Sequence, residues 1–269
     1  EWRVATGMTR DGAKEFGFGY YQAAGYEELI DHPVEMGDFD LVSFRAGGVP
    51  HHIAVTGVHD ADLDRLARDA KKICDYQIDF FHDGDKPPMS RYLFLVTAVG
   101  EGYGGLEHRA STALLCSRND LPQKNQKSIS ESYRHFLGLL SHEYFHTWNV
   151  KRILPAAFQP YDLARENYTS LLWAMEGITS YYDDLVLLRC GLITAEDYLQ
   201  IIGETITRVL RTPGRLKQSV AESSFDAWTK FYRPDENSTN SGVSYYAKGS
   251  LVALALDLHI CRETKNKKS

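Results

Sequence analysis

The chain has 269 residues, of which 43% are hydrophobic and 12% aromatic, so it can bury a large core in one main domain with a smaller appendage. Its formal net charge of −6 gives no basic surface for a nucleic-acid backbone or an anionic membrane, and we expect neither as a partner. The four cysteines form no C-x-x-C pair, which disfavours a cysteine metal site. No apolar run reaches transmembrane length, and we expect a cytoplasmic protein.

The first 57 residues are predicted to be β structure. Two apolar-rich strands, at residues 40–44 and 51–55, flank a Gly/Pro turn. His51 and His52 are adjacent, so their side chains point to opposite faces of a strand, and we assign them to the surface rather than to a metal site. A strand pair of this size is marginal alone and must pack against another element.

An amphipathic helix is predicted at residues 60–81, followed by a strand at 92–99 whose nearly unbroken apolar run suits burial on both faces. A glycine-rich segment, residues 102–108, comes next. Its local sequence favours a turn that carries a solvated Glu107. The alternative is a backbone that approaches a ligand closely, with Glu107 as a fixed negative charge.

The motif H-E-x-x-H occupies residues 142–146. A capping-box pattern at 128–131 predicts the start of its helix, which should end by residue 155. Side chains four positions apart lie on one helical face, so His142 and His146 can bind one metal ion, with Glu143 beside them as a base. The motif is typical of zinc hydrolases.

Three more helices are predicted, at residues 167–188, 194–210 and 250–260. Glu176 lies in an apolar stretch of the first of them, where a lone carboxylate is costly to bury unless it is paired or bound to metal. It is the candidate third ligand. A zinc ion on three protein ligands keeps one position open for water or substrate.

Peptide hydrolysis also needs a proton carrier and an oxyanion donor. Glu143 would take the proton of the attacking water and pass it to the leaving amine. A phenol such as that of Tyr246 would stabilise the developing oxyanion. Tyr245 and Tyr246 are neighbours, and we expect only one of them to face the zinc.

Four segments together resemble the glycyl aminopeptidase family of metallopeptidases, which are distant relatives of aminopeptidase N and leukotriene hydrolase in the gluzincin group. They are G-G-L-E-H at 104–108, H-E-Y-F-H-T-W-N at 142–149, W-A-M-E-G at 173–177 and S-Y-Y-A-K-G at 244–249. The resemblance implies zinc on His142, His146 and Glu176, with Glu143 as general base and Tyr246 as oxyanion donor. The chain differs from the aminopeptidase N relatives in one respect: 30 positions separate His146 from Glu176, more than in those relatives.

The same resemblance gives the glycine-rich segment a role. In aminopeptidase N relatives the corresponding segment lies along the substrate and its Glu holds the free α-ammonium group. By this resemblance Gly104 and Gly105 line the substrate, and Glu107 binds its amino terminus. The expected partner is therefore a peptide with a free N-terminus.

The implied fold is α+β, a thermolysin-like catalytic domain over residues 58–269 with a small sheet and a mainly helical lobe. Residues 1–57 are interpreted as the remnant of an N-terminal β domain. Family members also carry a C-terminal PDZ domain, which we expect in the full-length protein and not in this segment.

The leading hypothesis is a zinc aminopeptidase that releases N-terminal Gly or Ala. One alternative is an endopeptidase of thermolysin type, in which Glu107 anchors no amine. Another is a non-catalytic module that binds metal and peptide ends.

Overall fold

The structure is a computed structural model that describes residues 1–82, 86–160 and 162–267. Contacts divide the chain into two compact units. The first comprises Glu1–Lys151 with Val186–Ile193, and the second Arg152–Leu185 with Thr194–Ser269. The predicted boundary between residues 57 and 58 falls inside the first unit, and as a domain boundary it stays a prediction.

The first unit contains all the strands assigned in the described residues. They are β1 (Arg3–Thr6), β2 (Thr9–Asp11), β3 (Tyr20–Gln22), β4 (Val34–Gly37), β5 (Asp40–Ala46), β6 (Val49–Thr56), β7 (Tyr92–Val99), β8 (Tyr103–Glu107) and β9 (Ser111–Ser117). β1 pairs with β4 and β2 with β3, while the other five form one sheet in the order β5-β6-β7-β9-β8.

The central strand β7 has the bounds predicted from its apolar run. It is parallel to both β6 and β9, and Tyr92 and Phe94 are fully buried. β8 is antiparallel to β9 at the edge of the sheet, so the local preference for a turn at this segment was wrong. Antiparallel pairing with the next strand, β9, makes a strand of a sequence whose glycines favour a turn.

The helices are α1 (Tyr26–Ile30), α2 (Leu63–His82), α3 (Glu131–Phe145), α4 (Ile178–Arg189), α5 (Ala195–Arg211), α6 (Val220–Phe225), α7 (Ser238–Ser241) and α8 (Tyr245–Thr264). Short 3-10 helices occur at Arg118–Asp120, Ala156–Phe158 and Pro213–Leu216, and π-helices at Trp173–Gly177 and Ala227–Phe231. The fold is α+β, as predicted. Within the described part of the chain, no helix combines the length and the hydropathy needed to cross a bilayer.

The helix that carries the H-E-x-x-H motif begins later than predicted. Ser130, not Ser128, caps α3: its hydroxyl accepts the amide N–H of Tyr133 at 3.2 Å. The helix ends at Phe145, ten residues before the predicted limit at 155. Two serines two positions apart both suit an N-cap, and only the packing of the following turn decides between them.

His51 is buried, not at the surface as predicted. Its ring is fully enclosed between the rings of Phe44 and Tyr92. Nδ1–H donates to the Val49 carbonyl at 2.9 Å, so Nε2 accepts the Tyr144 hydroxyl, also at 2.9 Å. Burial lowers the pKa of His51 to about 4, so the ring is neutral. This hydrogen bond anchors the last turn of α3 to the sheet.

In the second unit, the helix predicted at 167–188 forms only in part, because Trp173–Gly177 is a π-helix that leads into α4. α5 has the predicted start, with Thr194 and Asp197 forming a reciprocal capping box. α8 begins at Tyr245, five residues earlier than predicted, since the Ser244 hydroxyl accepts the amide N–H of Ala247 at 3.2 Å.

Candidate active site

The two motif histidines lie on one face at the end of α3. Their ring centroids are 4.7 Å apart and the rings are nearly perpendicular. His146 is only 1% exposed and caps the helix, whereas His142 is half-buried. The i, i+4 spacing therefore brings two imidazoles together, as predicted from the sequence.

A backbone contact fixes which nitrogen of His146 can bind a metal. Nδ1 lies 2.7 Å from the carbonyl oxygen of Asn149. Because a carbonyl can only accept, Nδ1 carries the proton and Nε2 keeps its lone pair for a ligand. Metal-binding histidines are oriented in this way by their second nitrogen. The contact comes from the turn after α3 and is not encoded by the motif itself.

The backbone of β8 lies directly against α3, the helix that carries the H-E-x-x-H motif. A Cβ placed at Gly105 would come within 2.2 Å of Oε1 of Glu143, so only glycine allows this approach. At Gly104 a Cβ would meet nothing within 4 Å. Alternation along the strand thus gives the two glycines different surroundings, and of the two only Gly105 contacts Glu143.

Glu107 shares the face of β8 to which Gly105 belongs, two positions along the strand. Glu107, Glu143 and His146 each offer a ligand atom, and these atoms all lie within 4.8 Å of one another. Glu143 is 5% exposed. The structure therefore brings together, in the first unit, a partly exposed carboxylate, a buried carboxylate and a buried imidazole.

The paired imidazoles of His142 and His146 suit zinc, which takes imidazole nitrogen and carboxylate oxygen. The protonation of His146 at Nδ1 also suits zinc binding, because it leaves the Nε2 lone pair for the metal. The residues present therefore fit the metal that the motif predicts.

Glu176 and Tyr246 lie in the second unit. Glu176 is half-buried in the π-helix, and such helices are frequent at functional sites. Its neighbour Gly177 packs against Gly249 of α8, where a Cβ on Gly177 would be 2.6 Å from the Gly249 Cα. This close approach joins the π-helix to the first turns of α8, on which Tyr246 lies.

Tyr246 belongs to a cluster of three tyrosines that sequence analysis did not identify. The Tyr232 hydroxyl is 3.0 Å from that of Tyr246 and accepts the Tyr245 hydroxyl at 3.1 Å. The rings of Tyr245 and Tyr246 are stacked with centroids 4.6 Å apart. Both neighbouring phenols thus reach the same partner, and which of them faces the zinc stays a prediction.

Charge distinguishes the two phenols. Burial raises the pKa of Tyr246, and the negative charge of Glu176 raises that pKa further. For Tyr245 burial again dominates, and the Glu176 charge is the weakest of the causes. Tyr246 is therefore the phenol that is more strongly coupled to the predicted zinc ligand, and it stays neutral and able to donate a hydrogen bond.

Sequence analysis also missed Asp31, which is near Glu107 in space and far from it in sequence. Its carboxylate lies 2.9 Å from both the amide nitrogen of Arg109 and Nζ of Lys151. Asp31 has no motif around it, and only its placement beside α1 brings it to this position.

An H-E-x-x-H helix packed against a glycine-rich edge strand in an α+β fold is typical of a metallopeptidase. The family model described as M61 glycyl aminopeptidase matches residues 135–252, and the Peptidase M61 N-terminal domain model matches residues 1–38. The chain belongs to the M61 glycyl aminopeptidase family, which confirms the resemblance found in the sequence.

A solved structure supports the same assignment. The crystal structure of an aminopeptidase N family protein from Idiomarina loihiensis is 48% identical and matches with a TM-score of 0.97 over 100% of this chain. The chain spans 45% of the length of that protein. No curated protein matched. The roles of the individual site residues, the PDZ domain and the cytoplasmic location stay predictions.

Proposed function

We propose that this protein is a zinc-dependent aminopeptidase that removes N-terminal Gly or Ala from peptides with a free N-terminus. The observation that carries the proposal is the grouping of Glu107 with Glu143 and His146. It puts a carboxylate able to bind an ammonium group next to the predicted base. Family membership supports a peptidase, and the resemblance of G-G-L-E-H to the glycyl family supports the preference for small residues.

His142, His146 and Glu176 would hold the zinc. When bound, zinc supplies a Lewis acid that polarises the scissile carbonyl. The orientation of His146 by Asn149 supports its place in this set. In a rival arrangement Glu143 would itself be a ligand with Glu107 and His146. The H-E-x-x-H spacing favours Glu143 as the base, because the two histidines already share the helical face.

Glu143 would take one proton from the attacking water and deliver it to the nitrogen of the leaving amine. The water oxygen first bonds to the carbonyl carbon, and the C–N bond then breaks as the protonated amine leaves, so one water is consumed for each bond cleaved. The Gly105 backbone restricts the carboxylate to one side, which supports the precise placement that proton transfer requires.

Tyr246 would donate its phenolic hydrogen to the carbonyl oxygen as negative charge develops there. A neutral, oriented donor of this kind typically lowers the activation barrier by roughly 3 to 4 kcal/mol. Its raised pKa supports this role, because a phenolate could not donate.

Glu107 would bind the substrate ammonium group and so place the first peptide bond at the reacting centre. Among the described strands β8 pairs only with β9, so its outer edge can align an extended peptide by main-chain hydrogen bonds. An enzyme with this anchor is an exopeptidase, whereas an endopeptidase needs no such charge.

Glycyl and alanyl reporter substrates test the proposal. We expect turnover by the zinc-loaded protein, loss of turnover after chelation with recovery on adding zinc, and a fall of about 10²- to 10⁴-fold in the Glu143→Gln variant. Glu131→Gln, an exposed site on the same helix, is the matched control. Equal rates for Glu143→Gln and the wild type would rule out the mechanism.

A second measurement separates the two peptidase hypotheses. The aminopeptidase should cleave free peptides and leave their N-acetylated forms intact, since acetylation removes the positive charge that Glu107 binds. Cleavage of both forms at similar rates would instead support a thermolysin-type endopeptidase.

A further inference from the structure

We propose that Asp31 is a positioning residue that holds Glu107 in place for binding of the substrate ammonium group. This inference rests on the proposed function. Asp31 belongs to the N-terminal segment matched by the family's N-terminal domain model, at residues 1–38. It would make that segment a working part of the substrate site rather than only a neighbouring domain.

The first link runs from Asp31 to the end of β8. Oδ2 accepts the amide N–H of Arg109 at 2.9 Å. Oδ1 lies 3.5 Å from Nδ1 of His108, a separation longer than an ordinary hydrogen bond but short enough for electrostatic attraction. These two residues follow Glu107 directly, so the carboxylate fixes the backbone at the point where β8 ends.

The second link runs from the same carboxylate to the turn after α3. Lys151 places Nζ 2.9 Å from Oδ1 of Asp31, and its backbone N–H donates to the His146 carbonyl at 3.1 Å. Between them Val150 has φ of 139°, which is strained for a β-branched residue. Such strain persists only where the surroundings enforce it.

Asp31 thus joins the end of β8 to the turn after α3, the two segments that position Glu107 and His146. One segment ends in Glu107, and the other supplies the Asn149 carbonyl that orients His146. Removing Asp31, which anchors both segments, would let the end of β8 shift relative to the turn after α3. Outer-shell partners of this kind typically contribute about 10- to 100-fold to activity or metal affinity.

The Asp31 carboxyl is ionised at neutral pH. Burial alone would raise its pKa, but His108, the Arg109 amide and Lys151 outweigh burial and hold the pKa well below its usual range. The segment that carries Asp31 is itself docked on the sheet: the Arg91 guanidinium, just before β7, donates to the Gly7 carbonyl at 2.9 Å. The anchor is therefore charged and fixed.

The test uses the full chain, loaded with zinc, and a glycyl reporter substrate. Asp31→Asn keeps the shape and one acceptor oxygen but removes the charge. We expect KM to rise about tenfold with kcat within about threefold of the wild type, because ammonium binding is lost equally from ground and transition states. Asp40→Asn, whose carboxylate is 3.4 Å from His59 and 69% exposed, is the control.

A double variant separates positioning from a general structural effect. If Asp31 acts through Glu107, then Asp31→Asn combined with Glu107→Gln should have the KM of Glu107→Gln alone. The inference would be overturned if the two single-variant increases in KM multiplied in the double variant, or if KM were unchanged in Asp31→Asn. Should Asp31→Asn not fold, Asp31→Glu, which keeps the charge but displaces the carboxylate from the Arg109 amide, enters the same cycle with the same two outcomes.

The two proposals fail in different ways. A wild-type protein that does not turn over the glycyl reporter contradicts the proposed function. An active wild type with unaltered Asp31→Asn kinetics contradicts only the role of Asp31.

Discussion

Gly105 of β8 leaves the space that the Glu143 carboxylate occupies, since a Cβ there would lie 2.2 Å from Oε1. The edge strand and the catalytic helix therefore meet at a glycine. The contact links a residue from the glycine-rich segment to the predicted base, although 38 positions separate them in the sequence.

The first prediction is that Gly105→Ala reduces kcat by about 100-fold or more. The methyl group must push the Glu143 carboxylate or β8 aside, and a displacement of about 1 Å can cost that much in rate. Steady-state kinetics with the glycyl reporter measure the effect. Gly100→Ala is the control, because a Cβ at Gly100 meets nothing within 4 Å. Similar kcat values for the two variants would show that Glu143 tolerates the shift.

The second prediction concerns the oxyanion donor. Tyr246→Phe should lower kcat by about 10²- to 10³-fold with little change in KM, because the lost hydrogen bond forms only in the transition state. Tyr232→Phe should cost less, about tenfold, since Tyr232 acts on Tyr246 through their 3.0 Å contact. The exposed Tyr20→Phe is the control.

Tyr245→Phe decides between the neighbouring phenols. If it lowers kcat more than Tyr246→Phe does, the assignment made from the motif and from the Glu176 charge is wrong. Equal losses in both variants would assign the role to the tyrosine cluster as a whole.

Local sequence signals were enough for several elements. The apolar run of β7 and the capping box of α5 are complete within a few residues, and both elements were found where the sequence placed them. The histidine pair was also predictable, because helical periodicity alone puts His142 and His146 on one face.

The remaining features depend on contacts that are distant in the sequence. His51 is buried because Tyr144 of α3, 93 positions later in the sequence, covers it. At the π-helix that carries Glu176, Gly177 packs closely against Gly249, 72 positions later in the sequence. Asp31 reaches the end of β8 from a segment that no motif marks, so only a folded structure could connect it with the site.

The third prediction is that zinc stabilises the folded protein. A ligand that binds only the native state at 100 times its Kd adds about 3 kcal/mol to the free energy of unfolding. Zinc should therefore raise the Tm of the chelated protein, and His146→Ala should abolish that rise. His259→Ala, at an exposed position on α8, should keep it. A zinc-dependent Tm shift in His146→Ala as large as that of the wild type would place the ion elsewhere.

The fourth prediction is that acid weakens the fold through His51. Its folded-state pKa of about 4 lies below the value near 6.5 expected in the unfolded chain, so between these values only the unfolded state binds the proton. Neutral His51 therefore contributes on the order of 3 kcal/mol to the free energy of unfolding. This contribution is fully present above pH ~6.5 and is lost as the pH falls towards ~4. The loss follows from the buried ring, which is neutral and hydrogen-bonded to Tyr144.

Urea unfolding at several pH values between 7 and 4.5 measures this effect. In His51→Gln the free energy of unfolding should fall less steeply with acid than in the wild type, because one titrating group is gone, although the variant is less stable at neutral pH. The exposed His259→Gln should keep the wild-type slope. Parallel slopes in the wild type and His51→Gln would mean that protonation of this ring is not coupled to unfolding.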